Sequence, residues 1–431
     1  MLCDYACRSV DHRMARRDFL GGLAGGVAAG LGAAGGLGVL TRPAAAAQLS
    51  KEQKSVICIY LNGGASQLET WDPKPKTDTG GPFRAIPTSV PGMHISELLP
   101  QTARVMHHLA LIRSINTNEF DHGLGLYCML HGRRQTPASE YPELGAVAAR
   151  ALAPENSGLP GHVKIYPGGT GGRSADSAYL GPKYSSVALG GGPPDNSRRP
   201  DGLSDAADLQ RQRLRRSIDA RFAQRRRTAM TDAYTQNYEQ ALDLMKRRDV
   251  FDVTKEPAAQ LERYGKHDFG RHCLLARRLV EHGVTYVQVF HTNYDTHNEN
   301  FNFHMQQLGE FDGPFAALVT DLVERGMWRN TLVVVLSEFG RTPTINQFYG
   351  RDHWATAWSI CLGGAKVHPG AVYGKTNANG TAVVDKQVDH ANLFHTYLAA
   401  VGLDTTTSFD VAGRELPMAD PASKPIEELV A

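Results

Sequence analysis

Val284-Thr285-Tyr286-Val287-Gln288-Val289-Phe290, then the segment His304 to Arg325, then Leu332-Val333-Val334-Val335-Leu336, is the stretch whose reading decides the fold. The two outer runs are β-branched, apolar and of strand length, while the middle segment places Met305, Leu308, Phe311, Phe315, Leu318 and Leu322 at helical spacing. Strand, helix, strand of these lengths predicts a right-handed crossover between parallel strands.

Working outward, runs of the same kind lie at Val56 to Leu61, Leu109 to Ile115, Val163 to Tyr166 and Trp358 to Leu362, and Phe269 to Glu281 repeats the helical period. The pattern predicts an α/β fold: a doubly wound, mainly parallel sheet with helices on both faces, plus loop and helical insertions. Ligands in such sheets gather beyond the carboxyl ends of the strands, so the polar residues there are the candidates for function.

Two stretches interrupt the pattern and define an insertion at about 167–260. Pro167 to Pro200 is rich in Gly, Pro and Ser and reads as a surface excursion. Leu209 to Arg227 carries eight arginines against one acid, with Leu214, Ile218 and Phe222 every fourth residue. That spacing predicts a helix laying one apolar face on the core and its arginines in solvent. A sharper alternative makes the arginines a rim that attracts anionic substrate.

The N-terminus has its own signature. Arg16-Arg17-Asp18-Phe19-Leu20 precedes an uncharged Gly/Ala/Leu run and then Pro43-Ala44-Ala45-Ala46-Ala47, the pattern of a twin-arginine export signal over residues 1–47, cleaved near Ala47. Residues 48–431 are then expected to act in the periplasm or as a secreted protein. The alternative is an uncleaved membrane tether, since Phe19 to Thr41 is long enough to span, although its many glycines weaken insertion.

Residues 1–47 hold five basic and three acidic residues, leaving 41 of each sign from 46 and 44. Such a balance gives no global footprint for nucleic acid and favours small-molecule or polysaccharide partners. Cys58, Cys128, Cys273 and Cys361 each sit in an apolar run without a C-x-x-C pair, which predicts buried thiols.

Five polar stretches follow predicted strands or precede one. Asn62-Gly63-Gly64-Ala65-Ser66 offers small residues where backbone amides can approach a substrate, but Leu68 breaks the G-x-S-x-G pattern of an esterase elbow. Asp121-His122 at a helix start suits a metal ligand, general base or nucleophile, or simply a helix cap beside a hydrogen-bonded histidine. Asp295 and His297 sit at alternate positions of an extended segment and can reach one ion together; the alternative is a turn held by Asn293 and Asp295. Glu338, at the end of a buried strand, must be paired or ligate: either Arg341 is its ion-pair partner, or Glu338 is a ligand and Arg341 an oxyanion clamp. His353 can complete a site with Asp295 while Asp352 orients its ring, unless Arg351 and Asp352 merely pair with each other.

Taken together, N-G-G-A-S-Q-L-E-T-W-D-P-K-P, Y-D-T-H-N-E-N, S-E-F-G-R-T-P and G-R-D-H-W resemble a bacterial family of unknown function whose members carry twin-arginine signals and are often called sulfatase-like. That family is placed in the alkaline phosphatase superfamily, which hydrolyses phosphate or sulfate esters, usually with one or two divalent metals. The resemblance puts Asn62 where the superfamily has a metal-binding aspartate and His122 where it has its nucleophile. It puts Asp295, His297 and His353 among the ligands of the first metal, with Glu338 and Phe339 on a ligating Asp-His pair. Asn62 and Phe339 therefore remove two ligands of the second metal, and the C/S-x-P-x-R motif of sulfatases is absent. The resemblance implies a hydrolase of a phosphate, sulfate or related ester with one divalent ion (Zn, Mn or Ca) on Asp295, His297 and His353. On this reading His122, Glu338 and Arg341 are catalytic, and Asn62, Gly63, Gly64, Ser66 and Asp121 bind substrate. The alternative is a carbohydrate-binding protein on a degenerate hydrolase scaffold.

Overall fold

The seven residues Ser55–Leu61, all buried, form β1 in the middle of a nine-stranded sheet. In this computed structural model residues 53–430 are described, apart from 138, 155–157, 195–196 and 227–228 and the side chains of 170, 226 and 229–233. The expected export signal, residues 1–47, lies outside the described residues. The remaining strands are β2 (Leu109–Ile115), β3 (His162–Ile165), β4 (Thr170–Arg173), β5 (Val187–Leu189), β6 (Tyr286–His291), β7 (Thr331–Leu336), β8 (Trp358–Gly364) and β9 (Val372–Tyr373). They lie in the order β9-β2-β8-β7-β1-β6-β3-β5-β4.

The main helices are α1 (His122–His131), α2 (Leu144–Leu152), α3 (Asp205–Arg226), α4 (Ala229–Lys246), α5 (Asp268–Glu281), α6 (Asn300–Glu324) and α7 (His390–Ala400). Alternation along β1 sorts its side chains between two cores. Ile57, Ile59 and Leu61 pack with Leu274 and Leu275 of α5 and Phe311 and Phe315 of α6. Val56, Cys58 and Tyr60 face Met129 of α1, Val147 of α2 and Leu393 of α7. Burying each such aliphatic or aromatic side chain contributes about 1.5–3 kcal/mol, which is why β1 has no polar face. All four cysteines of the described residues are buried and free, as their apolar settings predict.

β1 pairs in parallel with both β6 and β7, Tyr60 lying opposite Phe290 on one side and Leu336 on the other. The residues that follow these three strands therefore emerge side by side on one rim. β8 runs antiparallel to both its neighbours, β7 and β2. Its reversal matters: Trp358, where β8 begins, lies opposite Ile115, where β2 ends, so the chain entering β8 joins the carboxyl rim.

Two expectations are corrected. The segment from Pro167 to Pro200 is not only a surface excursion, because β4 and β5 within it extend the main sheet from β3. It also sends Asp176 inward to Lys164 of β3, whose ammonium lies 2.8 Å from Asp176 and 2.7 Å from Glu143. The basic helix exists as α3, but its apolar edge does not pack on the core: Leu214, Ile218 and Phe222 are all exposed. Arg215 fastens α3 instead, through Glu239 and the ring of Tyr238 on α4.

Candidate functional site

The rim is shaped by glycine. Gly63 has φ +113° and Gly64 φ +78°, and a Cβ on Gly63 would lie 2.4 Å from the backbone nitrogen of Asp295. Only a residue without a side chain lets the turn after β1 meet the segment after β6. The turn does not present its amides as an anion cradle, however. Gly63 N–H donates to Glu338 Oε1 (2.8 Å), Ala65 N–H to the Ser337 hydroxyl (3.1 Å) and Ser66 N–H to His304 Nε2 (3.0 Å). The amides of Gly63 and Ser66 are thus spent on internal partners, Gly64 is buried, and in this turn only Asn62 keeps an exposed side chain.

α1 begins at His122, with Asp121 as its N-cap: the Asp121 carboxylate accepts from Leu124 N–H at 3.0 Å. The helix-cap reading of Asp121 replaces a substrate-binding one, and it aims the His122 ring at the rim. His122 Nδ1 is 2.7 Å from Glu338 Oε1, while its Nε2 lies 3.4 Å from Asp295 Oδ1 and has no hydrogen-bond partner among the described residues. Glu338 is buried and also accepts from the Ser337 hydroxyl at 3.0 Å, so it serves as an anchored acceptor. The hydrogen bond to Glu338, helped by the charges of Glu338 and Asp295, raises the His122 pKa against partial burial.

Two further histidines meet the same carboxylate. His297 Nε2 is 3.2 Å and His353 Nε2 3.5 Å from Asp295 Oδ1. His297 Nδ1 is 2.7 Å from Asp352 Oδ1, and His353 Nδ1 is 2.6 Å from the Phe120 carbonyl. Asp352 therefore orients His297, not His353 as expected. Phe339, fully buried, lies under the His122 and His353 rings with centroids 4.8 and 4.4 Å away.

Hydrogen-bond chemistry then fixes the tautomers. All three Nδ1 atoms face groups that only accept, so each ring commits its proton there. With each ring in its neutral form, the three Nε2 lone pairs converge on one carboxylate, and the Nε2 atoms of His297 and His353 are only 3.0 Å apart. Two lone pairs at that distance repel unless a cation or an extra proton lies between them. Partial burial lowers the His353 pKa and works against the extra proton on that ring. Bonds of roughly 2.0–2.2 Å to a tetrahedral ion put ligand atoms about 3.3–3.6 Å apart. The separations of 3.2 to 3.5 Å from Asp295 fit such an ion, and one ligand atom each from His122, Asp295 and His353 lies within a 4.8 Å span. The cluster is also reachable: the side chains of His122, Asp295, His297 and His353 are 37, 50, 48 and 23% exposed.

Arg341 takes neither role foreseen for it. It is fully buried, and its guanidinium donates to the carbonyls of Gly63, Gly64 (2.8 Å) and Arg351 (3.0 Å) and to Asp295 Oδ1 (2.6 Å). It braces three rim segments, with no face left to clamp an oxyanion, and its ion pair is with Asp295 rather than Glu338. Partial burial pushes the Asp295 pKa up, but the Arg341 bond and charge, together with His122 and His297, lower it overall. Arg351 pairs with Glu69, both fully buried, at 2.8 Å, and not with Asp352. His304 and Glu69 escaped the sequence reading because each looks like an ordinary polar residue until the rim is assembled. His291 sits apart, bonded to Tyr294 and Glu310. A cavity of about 480 Å³ lined by Arg173, Val187 and Leu244 contains none of the rim residues, so the chemistry and not that hollow marks the site.

An α/β sheet with imidazoles and a carboxylate gathered at its carboxyl rim defines the class. Residues 53–430 match the family described as "Protein of unknown function (DUF1501)", and the chain belongs to that family. No curated protein matches it. Among solved structures it is similar to the PsFucS1 sulfatase from Pseudoalteromonas sp. (13% identity, TM-score 0.41, 90% of this chain and 75% of that one). It is also similar to the lipoteichoic acid synthase LtaP from Listeria monocytogenes (7%, 0.38, 87% and 81%). A third is the C-terminal periplasmic domain of EptC from Escherichia coli, in complex with Zn (11%, 0.38, 81% and 83%). Among the described residues no helix is long and apolar enough to cross a membrane.

Proposed function

We propose that the protein is an exported hydrolase of a phosphate, sulfate or related ester that holds one divalent cation on Asp295, His122, His297 and His353. The observation that carries this reading is the convergence of three imidazole lone pairs on one carboxylate, two of them 3.0 Å apart. The proposal moves His122 from nucleophile to ligand, since its only unassigned nitrogen points at Asp295. A divalent ion held there supplies Lewis acidity toward an ester oxygen and lowers the pKa of bound water.

The chain's own residues do the rest. Glu338, Asp352 and the Phe120 carbonyl each hold one imidazole by its Nδ1 proton, which fixes ring orientation and raises basicity. Arg341 neutralises part of the Asp295 charge and keeps the Gly63 turn against it. Phe339 closes the floor beneath His122 and His353, excluding water and any second ligand from that side. Asn62 offers an exposed amide to a substrate oxygen. Export rests on the Arg16-Arg17 leader.

The test is metal analysis of the purified protein together with turnover of aryl phosphate and aryl sulfate esters in added Zn, Mn or Ca. One divalent ion per chain, lost in His353→Ala, and ester turnover that falls with it are the expected results. No bound ion and no turnover would overturn the reading. Glycan binding that persists in chelator would put a carbohydrate-binding role in its place.

A further inference from the structure

α3 presents to solvent the residues an amphipathic helix ordinarily hides. Leu214, Ile218 and Phe222 are 62, 55 and 50% exposed. Spaced four residues apart, they form a stripe of about 12 Å at about 1.5 Å per residue. Arg211, Arg221 and Arg225 lie three or seven residues from members of the stripe, so guanidinium groups and apolar side chains share one face. Arg213, Arg221 and Arg225 are exposed and have no ion-pair partner among the described residues. The helix is tied down beside and behind the stripe, through Arg215 at its flank and through Arg216, both on Glu239 of α4, and through buried Gln212. Contact with the rest of the protein therefore spends none of the apolar stripe.

Charge decides what covers it. A two-fold contact with a second copy would set this arginine-rich face against itself. A purely polar polyanion would match the arginines but leave Leu214, Ile218 and Phe222 in water. An anionic bilayer surface meets both demands, taking apolar side chains at the boundary between headgroups and acyl chains while the arginines reach phosphates. At 22 residues with eight arginines in or beside it, the helix lies on a membrane and does not span one.

We propose that α3 docks the protein flat on an anionic lipid surface, with Leu214, Ile218 and Phe222 entering the interface. The full chain and its Leu214→Ser, Ile218→Ser, Phe222→Ser triple variant are sedimented with phosphatidylcholine vesicles, with and without phosphatidylglycerol. Both proteins carry the same leader, so the difference between them reads α3 alone. The triple variant is expected to bind phosphatidylglycerol vesicles at least about tenfold more weakly, with unchanged circular dichroism and bound metal. A Phe222→Trp variant is expected to gain fluorescence that brominated lipid quenches. Equal binding of wild type and triple variant, or no quenching at position 222, would overturn the proposal. Binding abolished by salt yet indifferent to the three serines would reduce the face to a polyanion contact, and dimerisation lost in the triple variant would assign it to a second copy; each result refutes lipid docking.

Discussion

Among the described residues two groups of histidine and carboxylate are packed closely enough to hold an ion, and the difference between them lies in where the positive charge comes from. Inside, Glu143, His162 and Asp176 lie close enough to hold an ion, but Lys164 already sits between the two carboxylates at 2.7 and 2.8 Å. On the rim, the corresponding place among His122, Asp295, His297 and His353 has no ammonium. Arg341 reaches Asp295 from behind and leaves the imidazole lone pairs unanswered. Proximity of ligand-type residues is thus common to a structural ion network and a metal site. A built-in cation marks the first, and committed Nδ1 protons with converging Nε2 atoms mark the second.

The sharpest way to break this comparison is Lys164→Met. Removing the interior cation strands two carboxylates, one of them, Glu143, already pushed up in pKa by burial. Denaturant unfolding should show a loss of about 3–5 kcal/mol, the cost of a buried pair deprived of one partner. Bound metal per folded chain should not change. A loss below about 1 kcal/mol would show that the interior group is not held by its ammonium.

Acid provides the next test. His162 is fully buried, and burial drives its pKa down to about 3. The unfolded chain titrates near 6.5, so it binds more protons than the native state between those values. Stability from this histidine is complete above about pH 6.5 and is lost as pH falls from there toward 3, by up to about 5 kcal/mol. Melting curves from pH 7 to 4 should fall less steeply for His162→Leu than for wild type. Parallel curves would remove His162 from the account.

Gly63→Ala probes the rim by packing. Its Cβ would strike the Asp295 backbone at 2.4 Å in a φ region that alanine disfavours. A loss of about 1–3 kcal/mol in unfolding free energy is expected, together with weaker metal retention. Unchanged stability would mean that the turn can open. The smallest effect should come from Asp352→Asn, which leaves the ligands intact but weakens the hold on His297. Metal affinity measured by competition with a chelator should fall about 10–100-fold, with stability within about 0.5 kcal/mol of wild type. No change in affinity would exclude His297 from the coordinating set.

Much of this was legible from local pattern. All six strand candidates lie in the main sheet, because strands buried on both faces must be nearly continuous apolar runs. The short strands β4, β5 and β9 were not legible, since two to four residues at a sheet edge carry too little periodicity to separate them from a Gly-rich loop. At the rim, Asp295, His297 and His353 were recognisable from residue type and strand-end position. The roles of Asp121, Arg341 and Asp352 were not, because a short polar segment offers several partners and only distance chooses among them.

The sequence by itself determined which long apolar segments become strands and that ionisable residues follow them, since both depend on side-chain chemistry read over a few positions. Tertiary structure alone decided that β8 runs backwards and so delivers His353 to the carboxyl rim, and that Lys164 fills one ligand cluster while the other keeps its lone pairs. It also decided that the apolar edge of α3 faces outward. Such outcomes turn on contacts between residues tens to hundreds of positions apart, where free energy is set by geometry that no local pattern encodes.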